Sequence, residues 1–207
     1  MARVVCKLCA QRAARRFCAG EKGDICAICC GTEREVSISC PLDCEYLIEA
    51  RRHEKPVPFE GQDLPNADIQ ISDNFLREHD RLVGATGHLL LKAAVETPDA
   101  IDQDVQEALE ALIRTCRTLD SGLIYQTRPQ NPIAASIQAR FQAGLDELRK
   151  SAAEQTGLHN IRDRDVLGVL VFWERMGLQW NNGRRRGRMF ISALATLSAP
   201  PVRGEVA

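Results

Sequence analysis

The sequence has no long apolar run. Its longest, Val169-Leu170-Val171-Phe172-Trp173, is far too short to cross a bilayer, so no membrane partner is expected. No apolar stretch of signal length precedes the first cysteine either: Met-Ala-Arg-Val-Val leads directly into Cys6, and a cytoplasmic location is the expectation. Charge of one sign is also lacking. The formal net charge is -1, which leaves no whole-molecule field to draw the chain to nucleic acid. That small sum hides an uneven spread of +1 over residues 1–60, -6 over 61–160 and +4 over 161–207.

Signature motifs of several enzyme classes are missing. There is no Gly-x-x-x-x-Gly-Lys-Ser/Thr phosphate loop, no Gly-x-Gly-x-x-Gly and no Gly-x-Ser-x-Gly. Residues 73–197 contain no Glu-x-x-His pair, which disfavours a ferritin-like di-iron site. His79, His88 and His159 are scattered, and no nucleophile–base pair can be assembled. A non-enzyme is therefore expected.

What is present is cysteine. Eight of the nine cysteines fall between Cys6 and Cys44, as two Cys-x2-Cys pairs (Cys6/Cys9 and Cys26/Cys29), one Cys-x3-Cys pair (Cys40/Cys44) and the singles Cys18 and Cys30. In a reducing compartment thiols stay free or bind metal; a secreted domain would pair them as disulfides. A two-residue gap lets one tight turn present two thiolates to one ion, and zinc takes four such ligands in a tetrahedron. Eight cysteines suffice for two ions. Four cysteines also serve an iron–sulfur cluster, and zinc is the reading taken.

Residues 1–50 have few apolar side chains, so metal would supply the staple that a small core cannot. The segments around Ala19-Gly20-Glu21-Lys22-Gly23 read as a hairpin. Glu35-Val36-Ser37-Ile38-Ser39 alternates polar and apolar and reads as a short strand. A helix is expected from Leu42 to about Glu54, with Pro41 and Asp43 suiting its first turn.

Two knuckles, a hairpin and a last cysteine pair at a helix N-terminus resemble treble-clef and cross-braced zinc modules of the MYND, HIT and RING type, over residues 1–50 alone. The resemblance implies that ligand pairs alternate between two ions. Cys6, Cys9, Cys26 and Cys29 would hold one, and Cys18, Cys30, Cys40 and Cys44 the other. Ligands taken in sequence order would instead group Cys6, Cys9, Cys18 and Cys26 against Cys29, Cys30, Cys40 and Cys44. His53, nine residues past Cys44, is a further donor, though it reads better as a solvated histidine.

Residues 55–72 carry Pro56, Pro58, Gly61 and Pro65 without a sustained period and read as a linker. From Asp73 the period is helical. The cleanest stripe is Ile101, Val105, Leu109, Leu112, Cys116, Leu119 and Leu123, spaced by threes and fours. On it Cys116 reads as a small core residue, and Leu112 and Leu119 are both expected to be buried. Four or five helices follow from such stripes, ending before Pro200-Pro201. The fold expected is mostly α: a zinc-binding module over residues 1–54, a linker over 55–72, a helical bundle over 73–199 and a tail over 200–207.

One further stretch carries chemistry. Asn181-Asn182-Gly183-Arg184-Arg185-Arg186-Gly187-Arg188 places four arginines between two helices, near Trp173 and Trp180. Guanidinium groups bind phosphate and carboxylate bidentately and indoles stack on bases, so Arg184, Arg185, Arg186 and Arg188 are candidate anion or nucleic-acid contacts. The plainer reading is a solvated turn. The expected function is a zinc-binding adaptor or regulator that engages a protein partner. A nucleic-acid-binding protein using the Arg184–Arg188 patch, with Arg12, Arg15 and Arg16, is one alternative. A zinc–thiolate redox sensor is another.

Overall fold

The computed structural model describes residues 4–55, 64–120, 125–156 and 161–198. It is mostly helical. In chain order come β1 (Arg16–Cys18), β2 (Gly23–Ile25), α1 (Ala27–Glu33), α2 (Glu45–Arg51), α3 (Asp73–Glu78), α4 (Asp80–Val95), α5 (Asp102–Asp120), α6 (Pro132–Thr156), α7 (Asp163–Gln179) and α8 (Met189–Ser198). Part of the expected linker, 56–63, and the expected tail, 200–207, lie outside the described residues.

Two apolar clusters form. The larger gathers side chains of α4 to α8, with Phe141, Leu109, Leu170 and Phe190 at its centre. Helix α5 packs against both α6 and α7, and α4 against α6 and α8. The stripe of α5 explains this: Val105, Leu109 and Leu112 are all buried. Leu119 departs from the expectation. It is 40% exposed, one residue from the end of α5, where the stripe is only partly covered. Cys116 is half-buried and packs on the core. Burial, and then the charge of Asp163, push its thiol up to about 11. Leu123 lies outside the described residues.

The helical stretch that begins at Asp73 is broken in two. Ser72 caps α3 by accepting from the Phe75 N–H at 3.1 Å, and the backbone leaves helical geometry at His79 before α4 begins. Within α4, Gly87 is required by a close approach. A methyl there would lie 2.5 Å from the Trp173 ring, whose Nε1 donates to the Thr86 hydroxyl at 3.1 Å. Trp173 is thus a core residue, with no face free for stacking on a base.

Residues 64–71 are fastened to the bundle. The Arg175 guanidinium donates to the carbonyls of Pro65, Asn66 and Ile69. Arg117 holds Asp68 with two nitrogens and reaches Asn66 Oδ1, while Asn66 Nδ2 donates to Glu174. Ile69 and Ile71 pack on the large core.

Helix α8 takes its cap from another element. Asp102, at the start of α5, accepts from the backbone N–H groups of Phe190 and Ile191, both at 3.0 Å. Its own N–H donates to the Gly187 carbonyl at 2.8 Å. Orphan N–H groups at a helix start need such acceptors. Burial raises the Asp102 carboxyl to about 7 against those two backbone bonds.

The smaller cluster comprises Ile25, Ile38, Leu47 and buried cysteines. The strand expected at 35–39 does not form. A turn closes there, with Val36, Ser37 and Ile38 all donating to the Glu33 carbonyl, and only an isolated bridge joins Arg34 to Ile38. Glu35 itself adopts φ 54°. The helix expected from Leu42 starts later, at Glu45, because Cys44 is its N-cap. Helix α1, between Cys26 and Arg34, was not expected at all.

Candidate metal centre

Three backbone segments bring the sulfurs of Cys6, Cys9, Cys26 and Cys29 together. The knuckle at Cys6–Cys9 closes on itself: the Ala10 N–H donates to the Cys6 carbonyl at 2.8 Å, and Ala10 takes φ 52°. That knuckle is zipped to the hairpin, with the Lys7 N–H on the Asp24 carbonyl and the Arg15 N–H on the Ile25 carbonyl. The hairpin pairs Arg16 with Ile25 and Cys18 with Gly23, so β2 delivers Cys26 beside the knuckle. Cys26 then N-caps α1, its sulfur accepting from the Cys29 N–H at 3.4 Å. One turn of α1 returns Cys29 to the same place.

The sulfurs of Cys6, Cys9, Cys26 and Cys29 consequently lie within 4.8 Å of one another. A tetrahedral site with Zn–S near 2.3 Å has sulfur–sulfur edges of about 3.8 Å, so small shifts would close this cluster on one ion. These four form the first ligand set that the resemblance implies, and Cys18 is not among them. No cysteine is in a disulfide.

The polar surroundings favour thiolate at Cys6 and Cys9. Burial pushes Cys6 up, but N–H groups of Cys9, Cys26 and Leu8 outweigh it and bring the thiol down to about 6. The N–H groups of Gln11 and Arg12 lower Cys9. Cys29 is pushed up to about 12, chiefly by its hydrogen bond with Cys26. Without metal, protons therefore concentrate on Cys29 while Cys6 and Cys9 are primed to lose theirs. Metal binding requires all four thiolates and would expel the remaining protons.

The other four cysteines do not close into such a cluster among the described residues, although all four border one cavity. Cys18, Cys30, Cys40 and Cys44 line one small cavity of about 10 Å³, roofed by Tyr46 and Leu47. Two guanidinium groups point at Cys30: Arg16 Nη1 is 3.6 Å from its sulfur and Arg34 Nη2 is 3.9 Å from it. Arg16 also stacks on Tyr46 at 4.3 Å. Burial raises Cys40, and neighbouring Glu35, Cys18 and Cys44 charges add to this against a backbone hydrogen bond. His53 stands apart from both groups; its side chain is 79% exposed and approaches Glu49.

The arginine stretch contacts the cysteine-rich segment. Asn181 and Asn182 side chains turn the backbone by accepting from the N–H groups of Gly183 and Arg184, and Gly183 supplies φ 68°. Arg184 then donates to the Arg34 carbonyl at 2.8 Å and pairs with Glu54 at 3.3 Å. The backbone N–H groups of Arg186 and Arg188 donate to Glu35, one to its carbonyl and one to its carboxylate. Arg185 is exposed.

Glu35 is the residue that sequence reasoning missed. It is fully buried, and its carboxylate also takes Arg51 at 2.7 Å and Asn182 at 3.1 Å. A glutamate in an alternating stretch looks like the outward face of a strand, and nothing in the local pattern marks it as internal. No family model, curated protein or solved structure matches the chain.

Proposed function

We propose that the chain is a zinc-binding adaptor or regulatory protein whose cysteine-rich segment is folded by two zinc ions and engages a protein partner. The observation that carries this is the convergence of Cys6, Cys9, Cys26 and Cys29 within 4.8 Å. Four protein thiolates fill a tetrahedral ion and leave no open position for substrate, as in structural sites. Support for a second ion comes from Cys18, Cys30, Cys40 and Cys44 around one small cavity. Support for a protein partner comes from apolar side chains left exposed on this small segment, Phe17, Ile28 and Val36 among them. Nucleic-acid contact draws less support, because Arg184 is engaged by Arg34 and Glu54 and the Arg188 side chain is more than half buried.

Elemental analysis of protein purified without air tests the reading. About two zinc ions per chain in a colourless solution are expected. Metal-free protein after zinc-replete expression, or the colour of an iron–sulfur cluster, would overturn it. The double change Cys18→Ser with Cys26→Ser damages one ligand of each set and should reduce zinc to near zero. One tightly held ion in that variant would mean that ligands are taken in sequence order instead.

A further inference from the structure

Helix α1 is seven residues long, with metal ligands at its start and the helical bundle at its end. Cys26 caps it, and Cys29, one turn in, completes the cluster with Cys6 and Cys9. Cys30, next along, borders the cavity of the other set. Past the last turn, Arg34 and Glu35 grip the loop that joins α7 to α8. The Arg34 carbonyl accepts from Arg184 Nη1 at 2.8 Å, and the Glu35 carbonyl accepts from the Arg186 N–H at 2.8 Å. The Glu35 carboxylate takes the Arg188 N–H at 2.9 Å and Asn182 Nδ2 at 3.1 Å. On its other side the loop is held by α5, where the Asp102 N–H donates to the Gly187 carbonyl at 2.8 Å.

We propose that this arrangement is a metal-controlled latch. Metal on the cysteines of α1 fixes that helix, and α1 then holds the 182–188 loop and its arginines against the cysteine-rich segment. Loss of metal releases the loop. The inference rests on the zinc reading above and adds its regulation.

Three features of the chain carry this. A helix as short as α1 does not hold itself in water, so whatever fixes its first turn decides where its last turn lies. The residues in that first turn are metal ligands. Next, the four bonds from the loop all end on two consecutive residues, Arg34 and Glu35, so a shift of α1 breaks them together. Finally, Glu35 sits at φ 54° with its carboxylate fully buried. A residue other than glycine keeps that backbone only while its surroundings enforce it. Coupling between sites is reciprocal: if metal holds the loop, the loop holds the metal.

Reciprocity supplies the test, made on the full zinc-loaded chain without air. Zinc affinity is measured by competition with a colorimetric chelator. Arg184→Ala and Asn182→Ala lie about 150 residues from the segment they grip, and each should weaken zinc about fivefold or more. Arg185→Ala, at an exposed position in the same loop, should leave zinc affinity unchanged. Amide hydrogen exchange reads the latch from the other side. Removing zinc should speed exchange at the Arg186 and Arg188 N–H groups about tenfold or more, while Leu109 and Ile137 in the bundle core keep their protection. The latch is overturned if Arg186 and Arg188 stay protected in the metal-free chain, or if Arg184→Ala and Asn182→Ala both hold zinc as the parent does. It is overturned too if Arg185→Ala weakens zinc as much, which would make the effect one of charge, or if Leu109 and Ile137 lose protection as well, which would make it unfolding of the whole chain. A chain that binds no zinc sinks the zinc reading and the latch with it, whereas a zinc-loaded chain whose loop ignores the metal sinks the latch alone.

Discussion

Nη2 of Arg51 lies 2.7 Å from Oε1 of Glu35, and the glutamate is fully buried. This pair joins α2 to the turn after α1, and the same carboxylate receives the Arg188 N–H from the loop before α8. One side chain thus ties the cysteine-rich segment to the helical bundle. Removing one partner of a buried pair strands the other, at a cost of about 3–5 kcal/mol. Glu35→Ala should destabilise the protein by that order in urea unfolding. A loss below about 1 kcal/mol would mean that water replaces the carboxylate without penalty.

Chelation separates the two apolar clusters. Structural zinc in small fingers contributes ~10–16 kcal/mol, which decides the folding of a segment with a core as thin as Ile25, Ile38 and Leu47. A chelator should expose residues 4–55 to protease while most helical circular dichroism survives. Collapse of the entire helical signal would show that the bundle too is folded by metal.

Leu112 and Leu119 give a contrast within one helix. Leu112 is 2% exposed and Leu119 40%. Leu112→Ala should cost about 2–5 kcal/mol. Leu119→Ala should cost clearly less, below about 1 kcal/mol, as expected near the surface. Equal costs in thermal or urea unfolding would place Leu119 under cover.

Asp102 sets a pH dependence. Burial raises its carboxyl from the ordinary 3.8 to about 7, so the folded chain holds this proton more tightly than the unfolded one. Its contribution to stability therefore falls as pH rises through that window and is level above it. Zinc ligands titrate with the opposite sign, so the useful quantity is the difference between the parent and Asp102→Asn. The parent should lose stability relative to Asp102→Asn between about pH 4 and pH 7. A difference that stays flat over that range would show a carboxylate ionised throughout.

The parts legible from sequence were those with a period or a spacing. The stripe of α5 and the Cys-x2-Cys pairs each encode their geometry locally, so helix and knuckle follow from neighbours a few residues apart. The break at His79 and the turn at Glu35 were not legible, because both depend on what lies across the chain. Leu119 follows the same period as Leu112, yet no local pattern reveals where its cover thins. The arginines misled for a related reason. Four arginines within five residues look solvated, but the backbone N–H groups of Arg186 and Arg188 are bonded to Glu35, about 150 residues away.

The cap of α8 has a consequence for synthesis. A chain leaves the ribosome N-terminus first, so Asp102 is in place before Phe190 and Ile191 exist. The start of the last described helix is therefore templated by an acceptor already fixed in α5, and a fragment lacking that aspartate would have to begin the helix on water alone.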